Sequence, residues 1–192
     1  MQERGYCDVE VITTGCIVAP KGFKAGTTYC GIKIAKDSLD LGIIFSEYPA
    51  TGAALFTTNQ IYAAPVGLSK KIIQKGCVRA FIINSGNANA CTGEQGYKDA
   101  GEMLRIAAKC LKISADELLV ASTGIIGRPL LMDKIAAGIK TAAASLGNAP
   151  EHGNAMARAI MTTDTKQKDI AVKVKISNKD VTIGGITKGA GM

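Results

Sequence analysis

Leu118-Leu119-Val120-Ala121-Ser122-Thr123-Gly124-Ile125-Ile126-Gly127-Arg128 is the stretch on which the fold turns. Residues 118–121 are a short apolar run of strand character. The small polar residues Ser122, Thr123 and Gly124 predict that this strand stops there in a turn. Gly127-Arg128-Pro129 break the chain again, and a helical pattern starts near Met132. A strand ending in a small-residue turn leaves backbone N–H groups without a ladder partner, and such groups must be satisfied by something. A negative charge developing on a substrate oxygen is one candidate, as in an oxyanion hole. An ordinary strand-to-helix turn, with glycine for backbone freedom, is the other. The pattern alone leaves both readings open.

Working outward, the helix that follows is Ala-rich and spans 132–146, closed by Gly147-Asn148. Another is expected over 151–161 and ends at Thr162-Thr163-Asp164-Thr165. Residues 170–176 alternate with Lys173 and Lys175 outward, and 181–186 return, so a closing hairpin is expected. Upstream, 78–84 is a strongly apolar strand. It runs into Asn84-Ser85-Gly86-Asn87-Ala88-Asn89-Ala90-Cys91-Thr92-Gly93, where Asn and Gly predict a tight multi-turn loop. A long amphipathic helix over 94–111 puts Ala100, Leu104, Ala107 and Leu111 on one face, with Arg105, Lys109 and Lys112 on others. Ser114 and Glu117 have capping-box spacing.

Nearer the N-terminus, short strands are expected at 9–12 and 53–58, with an irregular loop over 17–27. A hairpin of 31–35 with 41–46 is expected to turn at Lys36-Asp37-Ser38. Pro65 suits the first turn of a helix that Gly76 stops. Strands that cluster first, then alternate with helices, then close in a hairpin indicate helices layered on a sheet, an α+β or layered α/β fold.

Composition narrows the function. The chain has 192 residues, 47% hydrophobic and 20% charged, which suits a globular protein with a sizeable core. The net charge is +7, yet Lys and Arg are scattered and the densest group is Lys70, Lys71 and Lys75. No basic run is interleaved with aromatics, which argues against nucleic acid as a partner. A basic balance suits small anionic substrates or an acidic partner chain. The six cysteines form no Cys-x-x-Cys pair and His152 is the one histidine, so no metal site is expected. Cys77, Cys91 and Cys110 read as small buried hydrophobes. No apolar run approaches the ~18 residues of a membrane span, and the first residues carry no signal core, so a cytoplasmic protein with reduced thiols is expected. The Lys188-Gly189-Ala190-Gly191-Met192 ending has loop character and reads as cut rather than finished.

Several segments together carry a family resemblance. They are the Asn84–Gly93 loop quoted above, Ser122-Thr123-Gly124-Ile125-Ile126-Gly127, Met161-Thr162-Thr163-Asp164-Thr165, and Gly184-Gly185-Ile186-Thr187-Lys188-Gly189-Ala190-Gly191-Met192. With Ala19-Pro20-Lys21-Gly22-Phe23, Phe56-Thr57-Thr58-Asn59 and Ala63-Ala64-Pro65-Val66, the set resembles the ornithine acetyltransferase (glutamate N-acetyltransferase) family of arginine biosynthesis, in order and over nearly the whole chain. One departure is Gly15-Cys16-Ile17-Val18, where the family commonly has Thr before Ala-Pro.

The resemblance implies a layered α/β sandwich of the N-terminal-nucleophile type (ornithine acetyltransferase/DmpA-like). Residues 1–192 would be an α chain, a single domain sharing its core with a separate β chain. Such proteins are precursors that cleave themselves before a Thr, and the freed N-terminal Thr of the β chain is the nucleophile. Acetyl passes from N-acetylornithine to glutamate through an acetyl-threonine. Thr123 and Gly124 match the oxyanion hole, and Thr162 and Lys188 match substrate-binding positions. An α2β2 or larger assembly is implied. No cofactor is implied, with acetyl-CoA an allowed second acetyl donor. A paralogous N-acyltransferase or an N-terminal-nucleophile aminopeptidase of the same fold is the alternative.

Overall fold

The computed structural model describes residues 9–35 and 38–189. Cys7, the Lys36-Asp37 tip of the expected hairpin and residues 190–192 lie outside the described part.

Four strands form the main sheet, in the order β2 (Phe23–Thr28), β3 (Leu41–Thr51), β4 (Cys77–Asn87), β5 (Leu118–Ile125). The first two pairings are antiparallel and β4–β5 is parallel. A parallel pair needs a crossover, and α2 (Gly93–Leu111) provides it. With side-chain period two, Ile43, Ile82 and Val120 share one face of the sheet. They are buried under α1 (Ala64–Ile72), α2 and α3 (Met132–Ala144), whose Met103, Leu104, Ile135 and Ile139 complete the larger core. The opposite face carries Ala25, Ile44 and Ile83. It is covered by α4 (Pro150–Ala159) through Met156, and by Cys16, Val18 and Ile160. Gly42 belongs to this face because a Cβ there would strike the Met156 sulfur. The described residues thus form a two-sheet α/β fold with four α-helices, which cover both faces of the main sheet.

A second sheet, β1 (Val9–Val11), β6 (Lys168–Ile176) and β7 (Lys179–Thr187), is antiparallel. Lys173 and Lys175 are exposed, as their alternation predicts. The apolar side of the same sheet is largely exposed too: Val11, Ile170 and Ile183 are each more than half open.

The long helices, the closing hairpin and the Ser114/Glu117 capping box form where the periodicity places them. Four readings change. Residues 31–35 form no strand, and β3 pairs instead with β2, inside the expected loop over 17–27. The cause is Asp40, fully buried, whose carboxylate accepts the N–H groups of Cys30, Gly31, Ile32 and Lys33 at 2.7, 3.1, 2.7 and 3.1 Å. Donors bound to a carboxylate cannot join a ladder. Residues 53–58 form no strand, and Leu55 is fully exposed. Cys91 is exposed with φ +55, Cys77 and Cys110 are half-buried, and among the described residues the buried thiol is Cys16. Last, β5 does not stop at Ser122. It runs to Ile125 because β4 runs equally far, to Asn87, and offers partners. Ser122 is satisfied through its Oγ, which donates to Asn84 Oδ1 at 2.6 Å.

Candidate active site

The parallel pair β4–β5 ends at the rim of a cleft of about 910 Å³. Ligands of parallel sheets commonly sit outside the carboxyl ends of strands. Strand alternation turns Thr123 toward the α4 side, while Asn84 and Ser122 face the other way. The Asn-rich segment then folds back tightly. Asn87 Nδ2 donates to the carbonyls of Arg128 and Pro129, and Asn89 Nδ2 donates to that of Gly96. These bonds anchor the segment that follows β4 to the chain after β5 and to the start of α2.

Gly86 and Gly124 lie opposite each other in the ladder, where its register is irregular. Gly124 has φ +133, and a Cβ on it would collide with the backbone of Gly86 and Asn87. Only glycine fits this approach.

The structure brings Thr123, Gly124, Thr162 and Lys188 together along one wall. Lys188 Nζ donates to Thr123 Oγ1 at 2.7 Å and to Thr162 Oγ1 at 3.0 Å. An ammonium has donors and no acceptor, so both hydroxyls accept from it and keep their own protons to give outward. A Thr123 proton polarised by an adjacent ammonium suits a developing oxyanion.

Lys188 is placed by a clasp that sequence reading missed. Asp164, with a side chain 1% exposed, accepts from Lys168 Nζ at 2.7 Å and from the Gly189 N–H at 2.6 Å on one oxygen. Its other oxygen accepts from the Thr162 N–H at 3.3 Å, while Lys168 Nζ also donates to the Gly189 carbonyl at 2.9 Å. The Lys168 hydrogen bond, followed by that of Gly189, holds the Asp164 carboxyl well below the usual carboxylate range. One acid thereby fixes the backbone beside both Thr162 and Lys188. The available signal was the acid itself, inside an otherwise hydroxyl-rich Thr162-Thr163-Asp164-Thr165.

Lys33 and Arg158 also line the cleft, and both escaped sequence reading. Burial lowers the pKa of Lys33, and Lys188 lowers it further against the opposing pull of Asp40. Burial and Asp40 push the Cys30 thiol up to about 12, so this cysteine is a poor nucleophile. Among the described residues lining the cleft there is no His or Cys. This chain therefore supplies donors and cations there, and the described lining offers no imidazole or thiolate for attack. Among the described residues no helix is long and apolar enough to cross a membrane.

The chain is similar to known proteins in sequence and in fold. The "Arginine biosynthesis bifunctional protein ArgJ" of Caldanaerobacter subterraneus subsp. tengcongensis is 49% identical over 181 residues, 94% of this chain and 44% of that protein. The Dehalococcoides mccartyi protein of the same name is 45% identical over 185 residues, 96% of this chain and 45% of that protein. The chain thus spans somewhat under half the length of these relatives. The crystal structure of the arginine biosynthesis bifunctional protein from Bacillus halodurans superposes with TM-score 0.92 at 38% identity, covering 97% of this chain and 96% of that one. The ornithine acetyltransferase of Mycobacterium tuberculosis, complexed with ornithine, gives TM-score 0.87 at 38% identity, with 96% and 97% covered. Residues 24–192 match the ArgJ family, and this chain belongs to it.

Proposed function

We propose that this chain is the α part of a glutamate N-acetyltransferase that moves acetyl from N-acetylornithine to glutamate. The observation that carries the reading is the Lys188 ammonium held between the Thr123 and Thr162 hydroxyls at the end of a parallel strand pair. A neighbour of the same fold is described in complex with ornithine.

In this mechanism a threonine hydroxyl on a companion chain attacks the acetyl carbonyl, with that chain's free α-amino group as base. The absence of His and Cys from the described lining suits a base brought from outside. The tetrahedral oxyanion accepts hydrogen bonds from the Thr123 hydroxyl and from the main chain at Gly124. The C–N bond breaks, the amine leaves with a proton, and acetyl remains as an ester on the threonine. The glutamate amine then attacks that ester, and the threonine regains its proton. Lys188 meets the α-carboxylate that donor and acceptor both carry, which one shared site requires. Acetyl-CoA as a second donor would enter at the same ester stage.

The experiment is Lys188→Met in the assembled enzyme, which keeps the aliphatic stem and removes the charge. KM for N-acetylornithine should rise by the equivalent of about 1.5–3 kcal/mol. Lys188→Arg should restore part of the loss, because the planar fork has different geometry. Equal kinetics for the Met variant and the parent at low salt would remove Lys188 from the site.

A companion β chain from the same precursor is the proposed partner. It is supported by the span of under half the relatives' length and by uncovered apolar surface on Val11, Ile170, Ile183, Leu55 and Ile61. The full gene product should run as two bands on denaturing electrophoresis, one near 19.9 kDa, and elute as at least a dimer of αβ pairs. A single uncut band with full activity contradicts the proposal.

A further inference from the structure

We propose that Lys33 receives the side-chain carboxylate of the acceptor amino acid, and so sets the preference for a dicarboxylate in the second half of the reaction. This rests on the transferase reading above and goes beyond it, since Lys188 alone accounts for only the carboxylate that donor and acceptor share.

The charges of the cleft come first. Four ionised side chains line it among the described residues: Lys33, Arg158, Asp164 and Lys188. The one acid is turned away, onto Lys168 and the Gly189 N–H. What faces the cleft is therefore cationic, and two of the cations, Lys33 and Lys188, repel each other. An anion with one negative group relieves one lysine. An anion with two separated carboxylates relieves both.

Position singles out Lys33 over Arg158. Arg158 is exposed, whereas Lys33 is half-buried on a loop whose N–H groups are bound to the Asp40 carboxylate. A Cβ placed on Gly86 would lie 3.1 Å from Lys33 Cγ, so the lysine stem passes directly over Gly86. Gly86 is the ladder neighbour of Gly124. The stem thus borders the strand end that holds Thr123. Its Nζ donates to the Leu39 carbonyl at 2.7 Å, and among the described residues it has no carboxylate within ion-pair distance. An ammonium carries three donors, so two remain for a ligand.

The two substrates differ at this end. N-acetylornithine carries its acetyl group on the α-nitrogen, so its side chain and that of the departing ornithine both end in an ammonium. Glutamate presents a carboxylate. A fixed cation there favours glutamate over ornithine in the competition for the acetyl-enzyme, and it disfavours the side chain of N-acetylornithine in the same way.

The test uses the assembled enzyme and measures the two half-reactions separately: ornithine release on acetylation, and glutamate-dependent deacetylation. Lys33→Met should raise KM for glutamate about ten- to a hundredfold, as loss of a charge-assisted hydrogen bond does. It should also strengthen product inhibition by ornithine, an effect opposite in sign. Lys33→Arg should recover most of the glutamate KM. Thermal melting of each variant identifies any that fail to fold, and the Arg variant then carries the test through its glutamate KM and ornithine inhibition. A glutamate KM within threefold of the parent overturns the assignment. So does equal weakening of glutamate and N-acetylornithine, or loss of glutamate binding in Arg158→Ala in place of Lys33→Met. A parent enzyme that forms no acetyl-enzyme from N-acetylornithine refutes the transferase reading itself, and the subsite falls with it. A parent that transfers normally while Lys33→Met is unaffected refutes the subsite alone.

Discussion

Thr123→Ala in the assembled enzyme is expected to lower turnover by about 10²–10³, the scale of one lost oxyanion donor, with the fold intact. The expectation rests on proton bookkeeping at one oxygen. Lys188 occupies a lone pair of Thr123 Oγ1, so the hydroxyl proton is free for the substrate. Thr123 is half-buried and its side chain adds nothing to either apolar core, so its removal creates no cavity. Thr123→Ser keeps the hydroxyl and should hold turnover within about tenfold of the parent. Single-turnover acetylation separates this loss from product release. Alanine and serine variants with parental rates would show that the side chain donates nothing. Gly124 cannot serve as the parallel probe, because any Cβ there disturbs the Gly86 backbone before chemistry is measured.

The second large effect is on stability. Asp40→Ala removes the acceptor of four backbone N–H groups from a fully buried position. Leaving these part-buried N–H donors without an acceptor costs about 1–3 kcal/mol for each that stays unsatisfied, or about 3–5 kcal/mol in total if water reaches some of them. For a chain of this size that lowers the melting temperature by roughly 6–20 °C. Asp40→Asn should fall between parent and Ala, because its amide nitrogen faces N–H donors that need an acceptor. Calorimetry of the assembled protein gives the measurement, and a shift below about 2 °C would mean that the four N–H groups find other partners. The loop that loosens carries Ile32 and Lys33 into the cleft, so substrate affinity should decline along with stability.

The same aspartate explains what was legible in the sequence. Periodicity located α2, α3 and the β6–β7 hairpin, because their side-chain patterns report burial directly. It misassigned residues 31–35, whose apolar alternation resembles a strand. Their backbone donors are taken by a residue several positions later, and a propensity pattern carries no trace of that bond. It also ended β5 at Ser122, because polar residues normally leave a core strand. Here Asn84 on the neighbouring strand accepts from Ser122, a pairing visible only once β4 and β5 are set side by side. For the site, the four residues suggested by motif do gather on one wall. Lys33 and Gly86 were hidden because they meet only across segments distant in sequence, and Asp164 because its clasp closes on Gly189, 25 positions later.

The abutting glycines Gly86 and Gly124 also constrain how this protein can change over generations. Each is hemmed in, though by different neighbours: a side chain on Gly124 strikes the Gly86 backbone, and one on Gly86 meets Ile32 and Lys33. A substitution at Gly124 must move the neighbouring strand, and one at Gly86, where φ is +99, must displace the Ile32–Lys33 loop, so mutational drift is restricted at this strand end. One step away the opposite holds. Ile125 and Ile126 line the same cleft at 45% and 63% exposure, with room for other side chains. A lineage under selection for a different ligand would therefore explore these two isoleucines first, reshaping the pocket while the two glycines stay fixed.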